Sequence, residues 1–128
     1  MKTVRAFALL LLCLAPALTS AGIFSAVIVS IDRTHSVARG SLTGARMNLG
    51  TEFIQCSVSM QDPTRGIRNV GSCSVRDARG AVASCTTRDP NLLQAMLSLN
   101  TASEVRFGWD LANACTFVTV VHASSNVE

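Results

Sequence analysis

Residues 73 to 85 read CSVRDARGAVASC, two cysteines that flank a tight turn. Residues 77–80 (Asp-Ala-Arg-Gly) suit a type I turn that a left-handed glycine closes as a short hairpin loop. This register places Cys73 directly opposite Cys85. Because strand side chains alternate between the two sides of a sheet, one side then carries Cys73, Val75, Ala83 and Cys85. The pattern predicts a half-buried antiparallel hairpin.

The segments on either side of this hairpin predict a mostly-β domain with one short helix. Residues 22–31 are apolar on both faces, which is typical of a strand covered on both sides. We expect a weaker strand over 37–43, irregular chain over 44–50 and an alternating strand over 53–60. A turn at 61–66 and two strands over 67–77 and 81–86 follow.

The one helix of this prediction begins after Asp89, an N-cap residue, with Pro90 at the first helical position. Leu92, Leu93, Met96 and Leu97 recur at helical spacing and are predicted to form its buried stripe. We expect Asn100 to end the helix in a left-handed conformation.

A second hairpin closes the chain, with Asn113 in the left-handed turn position. Its predicted pairs are Trp109 with Cys115, Phe107 with Phe117 and Val105 with Thr119. The predicted fold class is therefore a β-meander, a helix and a β-hairpin, which form a small disulfide-stabilised antiparallel sheet, a sandwich or a partly open barrel.

The first residues predict export from the cytosol. A basic start with Lys2 and Arg5 precedes a short apolar run, as in a secretory signal peptide, and cleavage is expected after Ala21, with Ala17 as the alternative. The predicted organisation is a signal peptide (1–21), one secreted or periplasmic β-rich domain (22–123) and a frayed tail (124–128). Without Lys2 and Arg5, nine of the 11 basic residues remain, against eight acidic ones. The net charge is then close to zero and does not favour binding to nucleic acid.

Four cysteines remain after removal of Cys13, and in a small exported domain this even number predicts two disulfides. Zinc is disfavoured because no Cys-x-x-Cys pair occurs. In a meander, Cys56 and Cys85 would stand two strands apart, beyond the reach of a disulfide. Of the other two arrangements we prefer Cys56–Cys73 with Cys85–Cys115.

The cysteine and turn motifs also resemble those of an uncharacterised family of small exported bacterial proteins. The residues that match are 44–46, 53–58, Cys73 with 77–80 and Cys85, and then 107–110 with 115–116. The resemblance supports the fold and implies no activity, cofactor or partner.

No catalytic constellation is predicted. His35 with Asp32 could act as a base and its orienting carboxylate beside a serine, but no nucleophile motif such as Gly-x-Ser-x-Gly accompanies the pair. A polar turn is the preferred interpretation.

A possible ligand surface is formed by arginines on the central hairpins and by the single tryptophan. Its residues are Arg65, Arg68, Arg76, Arg79 and Trp109. Arginine binds carboxylate and phosphate groups well, and tryptophan can stack on a sugar ring. The preferred interpretations are a solvated polar face for the arginines and a core position for Trp109.

From these patterns we expect a small secreted, non-enzymatic binding or interaction module without a cofactor, a metal or a membrane span. Its expected partner is an extracellular protein or an acidic glycan, and not a nucleic acid. The alternatives are a small secreted hydrolase and an inhibitor of an extracellular enzyme, for which residues 62–66 would supply a rigid inserting loop.

Overall fold

A computed structural model of the protein describes residues 26–47, 50–61, 64 and 68–122. The predicted signal peptide and the predicted tail lie outside these residues, as does most of the predicted turn at 61–66. Within the described part of the chain, neither helix has the length and apolar character that crossing a bilayer requires.

In the described part of the chain, seven strands form two antiparallel sheets, and two helices accompany them. The elements are β1 (Ser30–Asp32), β2 (Val37–Ser41), α1 (Leu42–Met47), β3 (Phe53–Ser59), β4 (Val70–Arg76), β5 (Val82–Thr87), α2 (Pro90–Leu97), β6 (Ser103–Trp109) and β7 (Cys115–His122). One sheet has the strand order β1-β2-β6-β7, the other β3-β4-β5. The predicted mostly-β fold is confirmed, as two sheets that do not close into a barrel.

Asp77 shapes the turn between β4 and β5 as the sequence predicts. The N–H of Gly80 donates to the Asp77 carbonyl (2.9 Å), and the N–H of Asp77 donates to the Ala81 carbonyl (3.0 Å). Gly80 has a φ of 80°, a left-handed conformation that a residue without a Cβ adopts at little cost. The predicted register is confirmed, since Cys73 pairs with Cys85.

Asp89 caps α2 as predicted, and its carboxylate accepts hydrogen bonds from the N–H groups of Asn91 (2.8 Å) and Leu92 (3.3 Å). The predicted buried stripe is wrong at Leu97, which is 57% exposed. The predicted end of this helix is also wrong. Ser98, in a right-handed conformation, is the C-cap residue. Asn100 instead organises the next turn, where its side-chain oxygen accepts from the N–H of Ala102 (2.9 Å).

A helix that the sequence analysis missed occupies residues 42–47, so the prediction of a single helix is corrected to two. The Ser41 hydroxyl accepts a hydrogen bond from the N–H of Gly44 at 2.8 Å. This contact satisfies one of the free N–H groups at a helix start, so Ser41 acts as an N-cap and ends β2. The strand predicted over 37–43 therefore stops at Ser41.

The first strand is shorter and more exposed than predicted. Of the predicted strand over 22–31, residues 22–25 lie outside the described residues, residues 26–29 form no strand, and residues 30–31 belong to β1. Ile28 is 69% exposed, so the prediction of cover on both faces is wrong there. Its neighbour Val29 is buried and packs on Gly40. Within the described residues, β1 is an edge strand that pairs with β2.

The second hairpin follows the prediction at its turn and then shifts by one residue. Asn113 has a φ of 57°, and Trp109 pairs with Cys115 as predicted. A bulge lies between Gly108 and Trp109, and beyond it Gly108 pairs with Phe117. The predicted pairs of Phe107 with Phe117 and Val105 with Thr119 are therefore wrong, and the observed partners are Val118 and Val120.

Gly108 gives the physical reason for this shift. A Cβ at Gly108 would collide with the ring of Phe117, so the ring occupies space that only glycine leaves open. The bulge leaves Thr116 as the extra residue of β7 and turns Phe117 to the outer side of the sheet.

The core lies between the two sheets. Phe107, Val105 and Val75 are fully buried there. The Cys56–Cys73 disulfide lies within the three-stranded sheet, whereas Cys85–Cys115 joins that sheet to the four-stranded one. These are the pairs that the sequence analysis preferred. Two disulfides in so small a protein indicate an oxidising, extracellular environment.

Candidate functional site

A groove of about 470 Å³ lies on the outer face of the four-stranded sheet, the side turned away from the core. The residues that line it come from β1, the β1–β2 turn, β2 and β6. They are Ser30, Asp32, His35, Val37, Arg39 and Arg106. The groove therefore combines two guanidinium groups, an imidazole, one carboxylate and one hydroxyl.

The strand register places these side chains. Arg39 pairs with Ser30 on one side and with Arg106 on the other, so the three form a row across β1, β2 and β6. Asp32 pairs with Val37 in the next row. Strand side chains alternate, and the residues between these positions point to the core. Ala38 and Phe107, for example, are buried.

The two arginines are direct cross-strand neighbours and both are exposed. Within the described part of the chain, neither guanidinium forms an ion pair, and the ion pair observed there is His35 with Asp32. The Arg106 guanidinium carbon lies 5.7 Å from the centre of the Phe117 ring, a cation–π contact that orients it. Glu104, two residues before Arg106 on β6, is a second carboxylate on this face. The site therefore presents two positive charges, neither of which has an ion-pair partner among the described residues.

Asp32 is held by the β1–β2 turn. One carboxylate oxygen accepts from the N–H groups of Thr34 (3.0 Å) and His35 (3.2 Å), and the other lies 2.6 Å from Nδ1 of the His35 ring. The hydrogen bond with the His35 side chain, followed by that with the His35 backbone, lowers the pKa of Asp32 below its ordinary value of 3.8. Asp32 is thus held by hydrogen bonds within its own turn, and it forms no direct ion pair with Arg39 or Arg106.

Asp32 should contribute to stability in a pH-dependent way. A carboxyl group whose pKa is lower in the folded than in the unfolded state stabilises the fold above the unfolded pKa, and this stabilisation is lost as pH falls through the folded pKa. We expect the stability advantage of the wild type over Asp32→Asn to have its full value at pH values above 3.8 and to shrink as the pH falls below this value. Urea unfolding across an acidic pH series measures it, and a difference that does not change with pH would contradict this role.

The groove contains part of the geometry that a hydrolase would need. His35 and Asp32 are in contact, and Ser30 lines the same groove. The side chain of His35 is 75% exposed, however, and no hydrogen bond joins Ser30 to His35. A nucleophile and its base are normally within hydrogen-bonding distance in a shielded site.

The predicted ligand surface is only partly described, because Arg65 lies outside the described residues. Arg68 precedes β4 and Arg79 follows it, so these two lie at opposite ends of the strand. Arg76 lies on the outer face of the three-stranded sheet, and its Nε is buried without a hydrogen-bond partner. Trp109 packs against the core beside Phe107, with the ring centres 6.0 Å apart. Trp109 thus lies on the four-stranded sheet, and Arg76 lies on the three-stranded one.

Sequence reasoning missed Arg39, Arg106 and Ser30. The one available signal is that Arg39 and Arg106 each stand between small or apolar residues that face the core, which marks them as outward-facing. Their proximity depends on the pairing of β2 with β6, strands that are far apart in the sequence.

Of the inserting loop that an inhibitor would need, only Thr64 of residues 62–66 is described. The described residues also contain no cluster of histidine, cysteine or acidic side chains that could hold a metal ion.

Comparison with known proteins finds no significant match. No family model matches the chain, and no curated protein or solved structure is significantly similar to it. The likeness to small exported bacterial proteins stays a prediction from the cysteine and turn motifs.

Proposed function

We propose that this protein is an exported, non-enzymatic binding module whose groove binds an acidic glycan. Export by the predicted signal peptide (residues 1–21) to the periplasm or the exterior is part of the proposal. The observation that supports it is the direct pairing of Arg39 with Arg106 on the outer face of the sheet, without an ion-pair partner within the described residues.

Two like charges directly opposite each other on neighbouring strands repel and destabilise the sheet. A ligand anion between Arg39 and Arg106 would convert this repulsion into two charge-assisted interactions. Each guanidinium presents a planar fork of donors that matches the two oxygens of a carboxylate. The arrangement therefore favours an anion over a neutral ligand.

The remaining groove residues fit a carboxylated sugar. The Ser30 hydroxyl and the exposed edge of the His35 ring can exchange hydrogen bonds with sugar hydroxyls. Val37, half-buried between Asp32 and Gly108, offers an apolar floor for a sugar ring. The groove is open to solvent, as binding within a longer polymer requires.

Binding to oligomers of polygalacturonate tests the proposal, with the fully methyl-esterified oligomer as the neutral counterpart. Isothermal titration calorimetry should detect the acidic oligomer and not the ester, and the affinity should fall as salt rises. The double substitution Arg39→Gln and Arg106→Gln should weaken binding by more than about tenfold, because a hydrogen bond to a charged group contributes about 1.5–3 kcal/mol.

Arg68→Gln is the matched control, since it removes an exposed arginine that lies outside the groove. We expect it to leave the affinity nearly unchanged. The proposal fails if the esterified oligomer binds equally well, or if the control weakens binding as much as the double substitution.

A small secreted hydrolase is the second candidate, favoured by the 2.6 Å contact of His35 with Asp32 in the groove that Ser30 also lines. In that case Ser30 would attack a carbonyl and His35 would accept its proton. The test is hydrolysis of chromogenic esters. If the protein hydrolyses them and Ser30→Ala abolishes this activity, the hydrolase function replaces the binding function.

A further inference from the structure

Three of the four bridged cysteines form one row across the three-stranded sheet. Cys73 on β4 pairs with Cys56 on β3 and equally with Cys85 on β5. Paired residues on adjacent strands share one side of the sheet and have Cα atoms about 4.5–5.5 Å apart. This spacing is within the range that disulfides span. Cys73 therefore has two neighbours that it could bridge, and in the structure it bridges Cys56.

The four cysteines differ in exposure. Cys73 and Cys85 are 0% and 1% exposed, and Cys115 is 9% exposed. Cys56 is only partly buried, and its strand β3 is an edge of the sheet. A thiol in solution can therefore reach the sulfur of Cys56 more easily than the other three.

We propose that Cys56 is a thiol-reactive site. Its modification starts a thiol–disulfide exchange along the row that breaks the disulfide between the two sheets. A thiolate from solution attacks Sγ of Cys56, the Cys56–Cys73 bond breaks, and Cys73 leaves as a thiolate. The Cys73 thiolate then attacks Sγ of its other neighbour, Cys85. The Cys85–Cys115 bond breaks, and the Cys115 thiolate takes a proton from water.

The exchange keeps the number of disulfide bonds constant, so it needs no oxidant. The products are a mixed disulfide on Cys56, a new Cys73–Cys85 bridge and a free thiol on Cys115. The new bridge lies within one sheet, whereas Cys85–Cys115 joins the two sheets. A thiol that binds at Cys56 would thus uncouple the sheets at the end where β7 begins.

The substitution Cys56→Ser tests the transfer step alone, because it leaves Cys73 without its partner. The oxidised variant is alkylated with N-ethylmaleimide in acid, which stops exchange, and is then mapped by peptide mass spectrometry. We expect a Cys73–Cys85 bridge and a labelled Cys115. Label on Cys73 alone would overturn the proposal, and so would a Cys73–Cys115 bridge, which indicates random exchange.

The wild-type protein provides a second test that does not depend on the folding of the variant. Incubation with reduced glutathione under native conditions should place the first glutathione on Cys56, with a free thiol appearing on Cys115. A first adduct on Cys85 or Cys115 would contradict the assignment. Neither test involves a glycan, so each is independent of the binding proposal.

Discussion

Removal of the Cys85–Cys115 disulfide by Cys85→Ala with Cys115→Ala is expected to lower the free energy of unfolding by about 3.6 kcal/mol. The two residues are 30 apart in sequence, and the loop-entropy relation gives this value for such a loop. The same relation gives about 3.1 kcal/mol for Cys56–Cys73, whose residues are 17 apart. The two loops do not overlap, so the losses should nearly add.

Complete reduction should therefore cost about 7 kcal/mol, which is comparable to the entire stability of a typical small domain. We expect the fully reduced protein to lose its cooperative thermal transition. Urea unfolding of the two paired-alanine variants and circular dichroism with and without dithiothreitol measure these effects. The paired variant at Cys56 and Cys73 is the matched control, because it removes a bridge within one sheet. A melting temperature that stays unchanged after full reduction would show that burial alone holds the sheets together.

The substitution Phe107→Ala is expected to lower the free energy of unfolding by about 3–5 kcal/mol, as is usual for a fully buried phenylalanine. Phe107 is 0% exposed and is the largest of the fully buried side chains. It lies on β6, which pairs with both β2 and β7, so the resulting cavity would lie at the centre of the four-stranded sheet.

Phe117→Ala is the matched control for this prediction. Phe117 is only half-buried, on the outer face over Gly108, and its loss should cost clearly less. Urea unfolding of both variants gives the comparison. An equal loss of stability in the two would mean that Phe107 does not lie at the centre of the core.

Local features of the fold could be predicted from the sequence because the groups that form them are close along the chain. The turn at residues 77–80 needs only the Asp77 carbonyl and a left-handed Gly80. The start of α2 needs only the Asp89 side chain and the next two free N–H groups. The pairing of Cys73 with Cys85 follows from that turn.

The errors of the sequence-based prediction have physical causes that the alternation of polar and apolar residues does not reveal. Ser41 is compatible with a strand, and its hydroxyl becomes a helix cap only because the chain turns there. The register of β6 and β7 changes because the Phe117 ring packs onto Gly108 across the sheet. In both cases a contact outweighs the local preference of the segment for strand.

The sequence by itself determined the mostly-β class, the central hairpin, the capped helix and the cysteines available for two bridges, since these depend on neighbouring residues and on alternation. Only the tertiary structure decided that β2 pairs with β6, which brings Arg39 beside Arg106, and that Cys73 stands between two bridging partners in one row. Pairing between distant strands depends on how two sheets share a core, and no local pattern specifies it.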